Sequence, residues 1–149
     1  MKKKGFVLIK PEALQRNLVG KVISTLEDKG LKIIALKMLQ PTKEQIFELY
    51  KQYKDLPHFS KIIECTTDGP VVAIVVSIVG ELDPSSIISL LQGRYDIPGT
   101  IRHAYSPHIS RNVVHCSDDY ILADKEIPIF FSEEEIYNYN KVLDQYLID

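Results

Sequence analysis

The chain has 149 residues and a formal net charge of −2, with 45% hydrophobic and 26% charged residues. This length and composition are those of an ordinary water-soluble globular protein, and we expect one domain over residues 1–149. A charge so close to neutral provides no basic field for nucleic acid, so no nucleic-acid partner is expected.

The sequence also predicts a cytoplasmic protein. Its basic N-terminus is followed by a short apolar run, residues 6–9, which is too short for a signal peptide. The longest apolar stretch, residues 71–79, is less than half a membrane span, so no membrane partner is expected. Cys65 and Cys116 show no metal-type spacing, and we expect both to be reduced.

The first half of the chain predicts two strands that alternate with two helices. Residues 6–9 predict a short buried strand, and a helix ending at Gly30 follows. Residues 31–39 predict the second strand. Thr42 with Gln45 has the pattern of a capping box that begins the second helix. The apolar residues with helical spacing are Val19, Val22, Ile23 and Leu26, and then Ile46, Leu49, Tyr50 and Tyr53.

A turn at residues 68–70 separates the second helix from a central strand. Residues 71–79 are rich in β-branched side chains, which favour a strand. Asp83 followed by Pro84 is typical of the start of a third helix. Residues 93–111 contain glycine and prolines with little periodicity, and they predict a long loop of the kind that carries function.

The C-terminal part predicts one more strand and one more helix. Residues 127–131 predict the last strand, and Ser132 with Glu135 predicts the cap of a terminal helix. The alternation of strands and helices favours an α+β fold, a ferredoxin-like antiparallel sheet with the βαββαβ order and an extra helix hairpin. We expect helices to cover one face of this sheet. The terminal helix is predicted to carry Ile136, Tyr139 and Leu143.

A histidine lies among polar residues in the segment 111–118. Side chains alternate along an extended segment, so His115 and Cys116 should point to opposite faces, which argues against a Cys-His dyad. The neutral imidazole of His115 can attack phosphorus, and Glu126 could orient the ring through its other nitrogen. An ordinary buried histidine at a strand end remains the alternative. Ser117 with Asp118 is equally compatible with a helix N-cap.

Two cationic residues occur where they could hold an anion. Lys10 follows the first strand directly, and Arg102 lies in the predicted loop. A lysine or an arginine in a cleft can bind phosphate oxygens, although solvated surface charges explain the pattern as well. Together with Asn112 and His115, these residues indicate a possible anion site.

The ordered segments together resemble the nucleoside diphosphate kinase family over nearly the whole chain. The matching segments are residues 9–11, 15–16, 18–20, 29–31, Tyr50, 69–73, 98–102, 111–115 and 125–127. The resemblance implies ping-pong transfer of the γ-phosphoryl group of a nucleoside triphosphate, typically ATP, to a nucleoside diphosphate. It also implies a phosphohistidine intermediate, Mg²⁺-bound nucleotides and a homo-oligomer, either a hexamer or a tetramer.

The resemblance also implies roles for particular residues. His115 matches the nucleophile of the family, and Asp118 matches an aspartate that lies near the metal and acts through water. His58 aligns with the aromatic clamp on the base. The residues that match positioning groups are Tyr50, Ser117 and Glu126. Those that match phosphate or ribose contacts are Lys10, Arg102 and Asn112.

Four features depart from the family pattern. Cys116 replaces the glycine that usually follows the histidine, and His58 replaces a phenylalanine. The segment 91–98 is about three residues shorter than usual. The usual phosphate-binding arginine and threonine are missing, and Arg94 is a candidate substitute from another position in the loop. These departures leave a second interpretation open, a nucleotide-binding regulatory module of the same fold with weakened catalysis.

Overall fold

One antiparallel sheet organises the chain. The structure is a computed structural model that describes residues 2–94, 97–105 and 113–146. Within these residues four strands lie in the order β2-β3-β1-β4, and every neighbouring pair is antiparallel. The strands are β1 (Gly5–Ile9), β2 (Lys32–Leu39), β3 (Val71–Ser77) and β4 (Val114–Cys116).

Helices fill the connections between the strands. The α-helices of the described residues are α1 (Pro11–Gln15), α2 (Val19–Asp28), α3 (Lys43–Tyr50), α4 (Phe59–Thr67), α5 (Pro84–Gln92), α6 (Ile101–Tyr105) and α7 (Tyr120–Phe130). Short 3-10 helices occupy Lys51–Tyr53, Glu133–Glu135 and Val142–Tyr146. The α3–α4 hairpin is inserted between β2 and β3, which confirms the ferredoxin-like prediction. None of these helices is long and apolar enough to cross a membrane.

Helices cover both faces of the sheet, and the prediction that they cover one face is wrong. Side chains alternate along β1, so Val7 and Ile9 join one apolar core while Phe6 and Leu8 join another. Residues of α2 and α5 contribute to the first core, and residues of α3 and α7 contribute to the second. Every residue of β1 and β3 is buried, and such continuous apolar strands are typical of a sheet covered on both sides.

The strand predicted at residues 127–131 is wrong, because most of this segment belongs to α7. The side chain of Asp119 caps α7 by accepting a 2.8 Å hydrogen bond from the Leu122 amide. Ala123, Ile127 and Phe130 then follow with helical spacing and are buried in one core. The β-branched residues of segment 127–131 suggested a strand. The segment nevertheless continues the helix that begins after the Asp119 cap. The fourth strand is β4.

The predicted terminal helix is also wrong. Its capping box does form, since the Ser132 amide donates to Glu135 Oε1 at 2.9 Å, but only one 3-10 turn follows. Beyond Ile136 the Tyr137 amide donates to the Ile34 carbonyl at 2.8 Å. The Tyr139 hydroxyl donates to the carbonyl of Ile33, also in β2, at 2.5 Å. Hydrogen bonds to β2 therefore replace those that would have continued the helix.

The long loop predicted over residues 93–111 contains α6. Residues 95–96 and 106–111 of that prediction lie outside the described residues. At the start of the loop Gly93 has φ +59°, and a Cβ there would come within 2.1–2.5 Å of the Thr100 side chain. Glycine is thus required where α5 ends, because a larger residue would push the loop away from α6.

Candidate active site

A cleft of about 230 Å³ opens beside β4. Its wall combines cationic groups, aromatic rings and one exposed carboxylate, and it draws on residues that follow β1, on α3, α4, α5 and α6, and on β4. The lining residues are Lys10, Tyr50, Tyr53, Leu56, His58, Ile62, Gln92, Arg102, His115, Cys116 and Asp118. The fold therefore brings together side chains that are far apart in the sequence.

A short hydrogen bond orients His115. Its Nε2 lies 2.5 Å from Glu126 Oε1, and both side chains are buried. An ionised carboxylate can only accept a hydrogen bond, which favours the His115 tautomer with a proton on Nε2. The other ring nitrogen, Nδ1, then keeps its lone pair. A ring nitrogen with a free lone pair can act as a nucleophile.

Two aromatic rings hold the imidazole from the sides. The Tyr50 ring meets the His115 ring edge to face, with centroids 4.9 Å apart, and the Phe6 ring lies 6.3 Å away. Burial raises the pKa of the Tyr50 phenol, so this side chain is a neutral wall of the site. Rotation of the imidazole away from Glu126 would disturb these ring contacts.

Lys10 is a buried cation at the junction between β1 and α1. Only 3% of the residue is exposed, and its Nζ lies 5.7 Å from the centroid of the Tyr50 ring. Burial, and to a smaller extent the nearby Arg102, lowers the pKa of its ammonium group to about 8. The cost of burying this charge would be offset by an anionic ligand.

Arg102 provides the second cation of the cleft. Its Nη2 donates to the Val114 carbonyl at 3.1 Å, and the side-chain Nε2 of Gln92 donates to the same carbonyl at 3.3 Å. Its Nε is buried and has no hydrogen-bond partner among the described residues. Burial lowers the pKa of the guanidinium, which nevertheless stays charged at neutral pH. Neither this group nor Lys10 forms an ion pair with a carboxylate of the described residues.

The residues that flank His115 have distinct surroundings. Cys116 belongs to the apolar core on the side of Val7, while His115 contacts Phe6 and Tyr50 on the other side, as alternation predicts. Burial raises the pKa of the Cys116 thiol to about 12, so it stays protonated and is a poor nucleophile. The next hydroxyl, Ser117 Oγ, is buried without a hydrogen-bond partner among the described residues.

The structure brings most of the predicted site residues together. Lys10, Tyr50, His58, Arg102, His115 and Asp118 line the cleft. Glu126 bonds to His115, and Ser117 is buried between Cys116 and Asp118 in the sequence. Arg94 is exposed and is not a lining residue, although it follows Gln92 closely. Asn112 lies outside the described residues.

Sequence reasoning missed Tyr53, Leu56, Ile62 and Gln92, which also line the cleft. Ile62 follows His58 by one helical turn, so recognition of α4 would have placed both on the same side. Gln92 gave no signal, because a glutamine at the end of a helix is an ordinary surface residue.

The acidic groups of the site are compatible with a metal ion that is bound mainly by the phosphates of a substrate. Within the described residues no group of three or more His, Cys, Asp or Glu side chains could hold a metal ion. Asp118 is an exposed carboxylate at the cleft. Mg²⁺ is commonly bound through one or two carboxylates together with phosphates of a substrate and water, and this donor set is compatible with that mode.

Known proteins resemble this chain over nearly its whole length. Residues 3–136 match the sequence profile of the family described as Nucleoside diphosphate kinase. A nucleoside diphosphate kinase of Archaeoglobus fulgidus is 39% identical over 154 residues, which cover 97% of this chain and 96% of the relative. One of Thermoplasma acidophilum is also 39% identical, with 94% and 95% of the two chains covered.

Solved structures agree with these relatives. A halophilic nucleoside diphosphate kinase of Halobacterium salinarum, in complex with CDP, has a TM-score of 0.90 and 29% identity, with 100% of both chains covered. The enzyme of Aquifex aeolicus has a TM-score of 0.83 and 28% identity, over 92% of this chain and 100% of that one. These similarities support an enzyme rather than a regulatory module. The chain belongs to the nucleoside diphosphate kinase family and is a phosphotransferase.

Proposed function

We propose that this protein transfers the γ-phosphoryl group of a nucleoside triphosphate, typically ATP, to a nucleoside diphosphate through a phosphohistidine on His115. The observation that carries the proposal is the buried hydrogen bond between His115 Nε2 and Glu126, which leaves Nδ1 with its lone pair in a cleft that contains two cations. A histidine with this arrangement is suited to attack on phosphorus.

The reaction consists of two transfers. In the first, Nδ1 of His115 attacks the γ-phosphorus, the bond to the β–γ bridging oxygen breaks, and the nucleoside diphosphate departs with that oxygen. In the second, a terminal phosphate oxygen of another nucleoside diphosphate attacks the phosphohistidine, and the P–N bond breaks. Throughout, Glu126 accepts the Nε2–H hydrogen bond and stabilises the positive charge that develops on the ring.

The remaining side chains of the cleft have supporting roles in this proposal. Lys10 and Arg102 compensate the negative charge of the phosphates, and Asn112 contacts the phosphate or ribose. His58 stacks against the base at the outer part of the cleft. Tyr50 and Ser117 position the imidazole and Glu126. Arg94 is proposed as a further phosphate contact from the loop that follows α5.

Mg²⁺ is the proposed metal, and Asp118 would hold it through water. Bound together with the nucleotide, the ion would reduce the negative charge of the phosphates. The proposed partners of the protein are nucleoside di- and triphosphates and further copies of the same chain, in a tetramer or hexamer. The proposed compartment is the cytoplasm, since Cys65 and Cys116 are both buried and free.

Labelling with γ-labelled ATP and Mg²⁺ tests the covalent step. We expect the protein to become labelled without an acceptor, on a bond that breaks in acid and survives base, because protonation turns the imidazole into a good leaving group. Peptide mapping should place the label on His115, and initial rates with two nucleotides should follow ping-pong kinetics.

Two substitutions complete this experiment. His115→Ala should abolish labelling, whereas the matched control His103→Ala, which removes an exposed histidine of α6, should label like the wild type. Label that persists in His115→Ala, or that maps to Ser117, would exclude the proposed intermediate. Nucleotide binding without any labelling would instead favour the regulatory module.

A further inference from the structure

The residue before β4 has a backbone conformation that its side chain disfavours. Val113 has φ +72°, in the left-handed region, and it is fully buried two residues before His115. β-branched residues rarely adopt this conformation, because Cβ crowds the backbone, and such outliers persist only where surrounding contacts hold them. The position of the predicted nucleophile therefore depends on whatever holds Val113.

Hydrogen bonds to the backbone carbonyl and from the backbone amide of Val113 hold this residue against the start of α1. The Lys10 amide donates to the Val113 carbonyl at 2.8 Å, a bond that extends the pairing of β1 with β4. The Val113 amide donates to Glu12 Oε1 at 2.7 Å, and it has no backbone acceptor among the described residues. One carboxylate thus satisfies a buried amide next to the strand that carries His115.

Glu12 is well placed for this bond. It lies in the first turn of α1, one residue beyond Pro11, and only 8% of the residue is exposed. Its other oxygen, Oε2, accepts a 3.2 Å hydrogen bond from Arg16 on the same helix. That partner fixes the rotamer of the carboxylate, so Oε1 faces Val113 in a defined direction.

We propose that Glu12 is a positioning residue for phosphoryl transfer, because its hydrogen bond keeps Val113 in the left-handed conformation and thereby sets where His115 presents Nδ1. The inference rests on the proposed role of His115 as nucleophile. Reacting atoms must approach within a narrow range of distance and angle, and a displacement of about 1 Å can slow a reaction roughly 100-fold. Glu12 thus acts through the backbone, without contact to the substrate.

Single-turnover labelling of three variants begins the test of this role. Glu12→Ala should slow the transfer from γ-labelled ATP to His115 by roughly 10- to 100-fold, the scale of one charge-assisted buried hydrogen bond. Glu12→Gln keeps a carbonyl oxygen for the Val113 amide and should stay within about threefold of the wild type. Glu27→Ala, a matched control on the exposed side of α2, should not change the rate.

Val113→Gly supplies the decisive comparison. Glycine adopts the left-handed conformation without a Cβ penalty, so Glu12→Ala should cost about tenfold less in the Val113→Gly background than in the wild type. Thermal unfolding of each variant is measured in parallel, because loss of stability alone would not produce rescue of the rate. If Glu12→Ala alone does not fold, the comparison of Val113→Gly with the double variant, and of wild type with Glu12→Gln, still tests the role.

The outcomes separate this inference from the proposed function. If Glu12→Ala and the wild type are labelled on His115 at the same rate, Glu12 has no positioning role. His115 would then still be the nucleophile. Equal losses in the two backgrounds, or a loss of stability with an unchanged rate, would show that Glu12 is merely structural. Wild-type protein without label on His115 would reject the nucleophile, and the role of Glu12 with it.

Discussion

At the scale of single residues, burial gives the cleft its chemical character. The short bond to Glu126 leaves His115 with one free nitrogen, whereas burial keeps the Cys116 thiol protonated beside it. Two adjacent residues that could both be nucleophiles are thus differentiated by their surroundings. Lys10 is buried as well, but its lowered pKa leaves it close to a change of charge at moderately alkaline pH.

The pKa of Lys10 predicts an alkaline loss of activity. Below its value of about 8 the ammonium group is charged and binds phosphate, and above it the charge is lost. We therefore expect kcat/KM, which reports the free enzyme, to fall as the pH rises through about 8. Lys10→Arg should keep its charge and flatten this limb, while Lys10→Met should lower kcat/KM mainly below about pH 8, where the wild-type ammonium group is charged. An unchanged alkaline limb in Lys10→Arg would assign the ionisation to another group.

His58 predicts a stacking contact with the base. Stacking on a base is worth about 1–3 kcal/mol, and phenylalanine stacks at least as well as imidazole. His58→Phe should therefore bind nucleotide as tightly as the wild type or more tightly. Calorimetric titration measures the two affinities. Clearly weaker binding of the variant would indicate a specific hydrogen bond from His58 in place of stacking.

At the scale of secondary structure, local patterns predicted the elements that have clear signals. The capping box at Thr42 forms as expected, with the Gln45 amide donating to Thr42 Oγ1 at 3.0 Å. The segment around Ile127 was misassigned, because β-branched residues also pack well in a helix whose cap and burial pattern are correct. The hydrogen bond between the Val113 amide and Glu12 could not be predicted, since no local sequence pattern connects two residues so far apart in the chain.

The same limit applies to the site. Resemblance to the family supplied His115, Lys10 and Arg102, and the structure places them in one cleft. Gln92 was missed because its role depends on the carbonyl of Val114, and that contact exists only after β4 has paired with β1. Contacts between distant segments arise from the packing of the whole sheet, and the sequence shows them only through a known relative.

The loop after α5 predicts a role for Arg94. This residue is exposed and follows the cleft residue Gln92 by two positions. We propose that its side chain contacts the phosphates from the end of the helix. Arg94→Ala should lower kcat/KM by roughly tenfold, the scale of one charge-assisted hydrogen bond. Circular dichroism should show an unchanged fold. Wild-type kinetics in Arg94→Ala would mean that Lys10 and Arg102 suffice for the phosphates.

At the scale of the whole molecule, the two edges of the sheet differ. At one edge β4 carries the predicted nucleophile next to the cleft. At the other edge β2 is the outermost strand of the described residues, and its Leu36 and Met38 are 51% and 65% exposed. Apolar side chains on an outermost strand favour contact with another protein surface, which agrees with the proposed homo-oligomer.

Light scattering of the purified protein tests this assembly. We expect a mass that is a multiple of the 17.0 kDa chain, corresponding to a tetramer or hexamer. Leu36→Glu combined with Met38→Glu should lower the mass, because burial of two carboxylates at an interface is costly. The control Ile121→Glu changes an exposed residue of α7 and should keep the wild-type mass. A monomeric wild-type protein would refute the proposed oligomer.

The hydrogen bonds around β4 also protect the protein from misassembly. This strand has no neighbour on its outer side within the described residues. Val113 and Ser117 bond inward to β1, and alternation then turns the Val114 carbonyl outward, where Arg102 and Gln92 donate to it. A strand from another chain would need that carbonyl in order to pair. The side chains that shape the cleft therefore also block edge-to-edge aggregation at the strand that carries the reactive histidine.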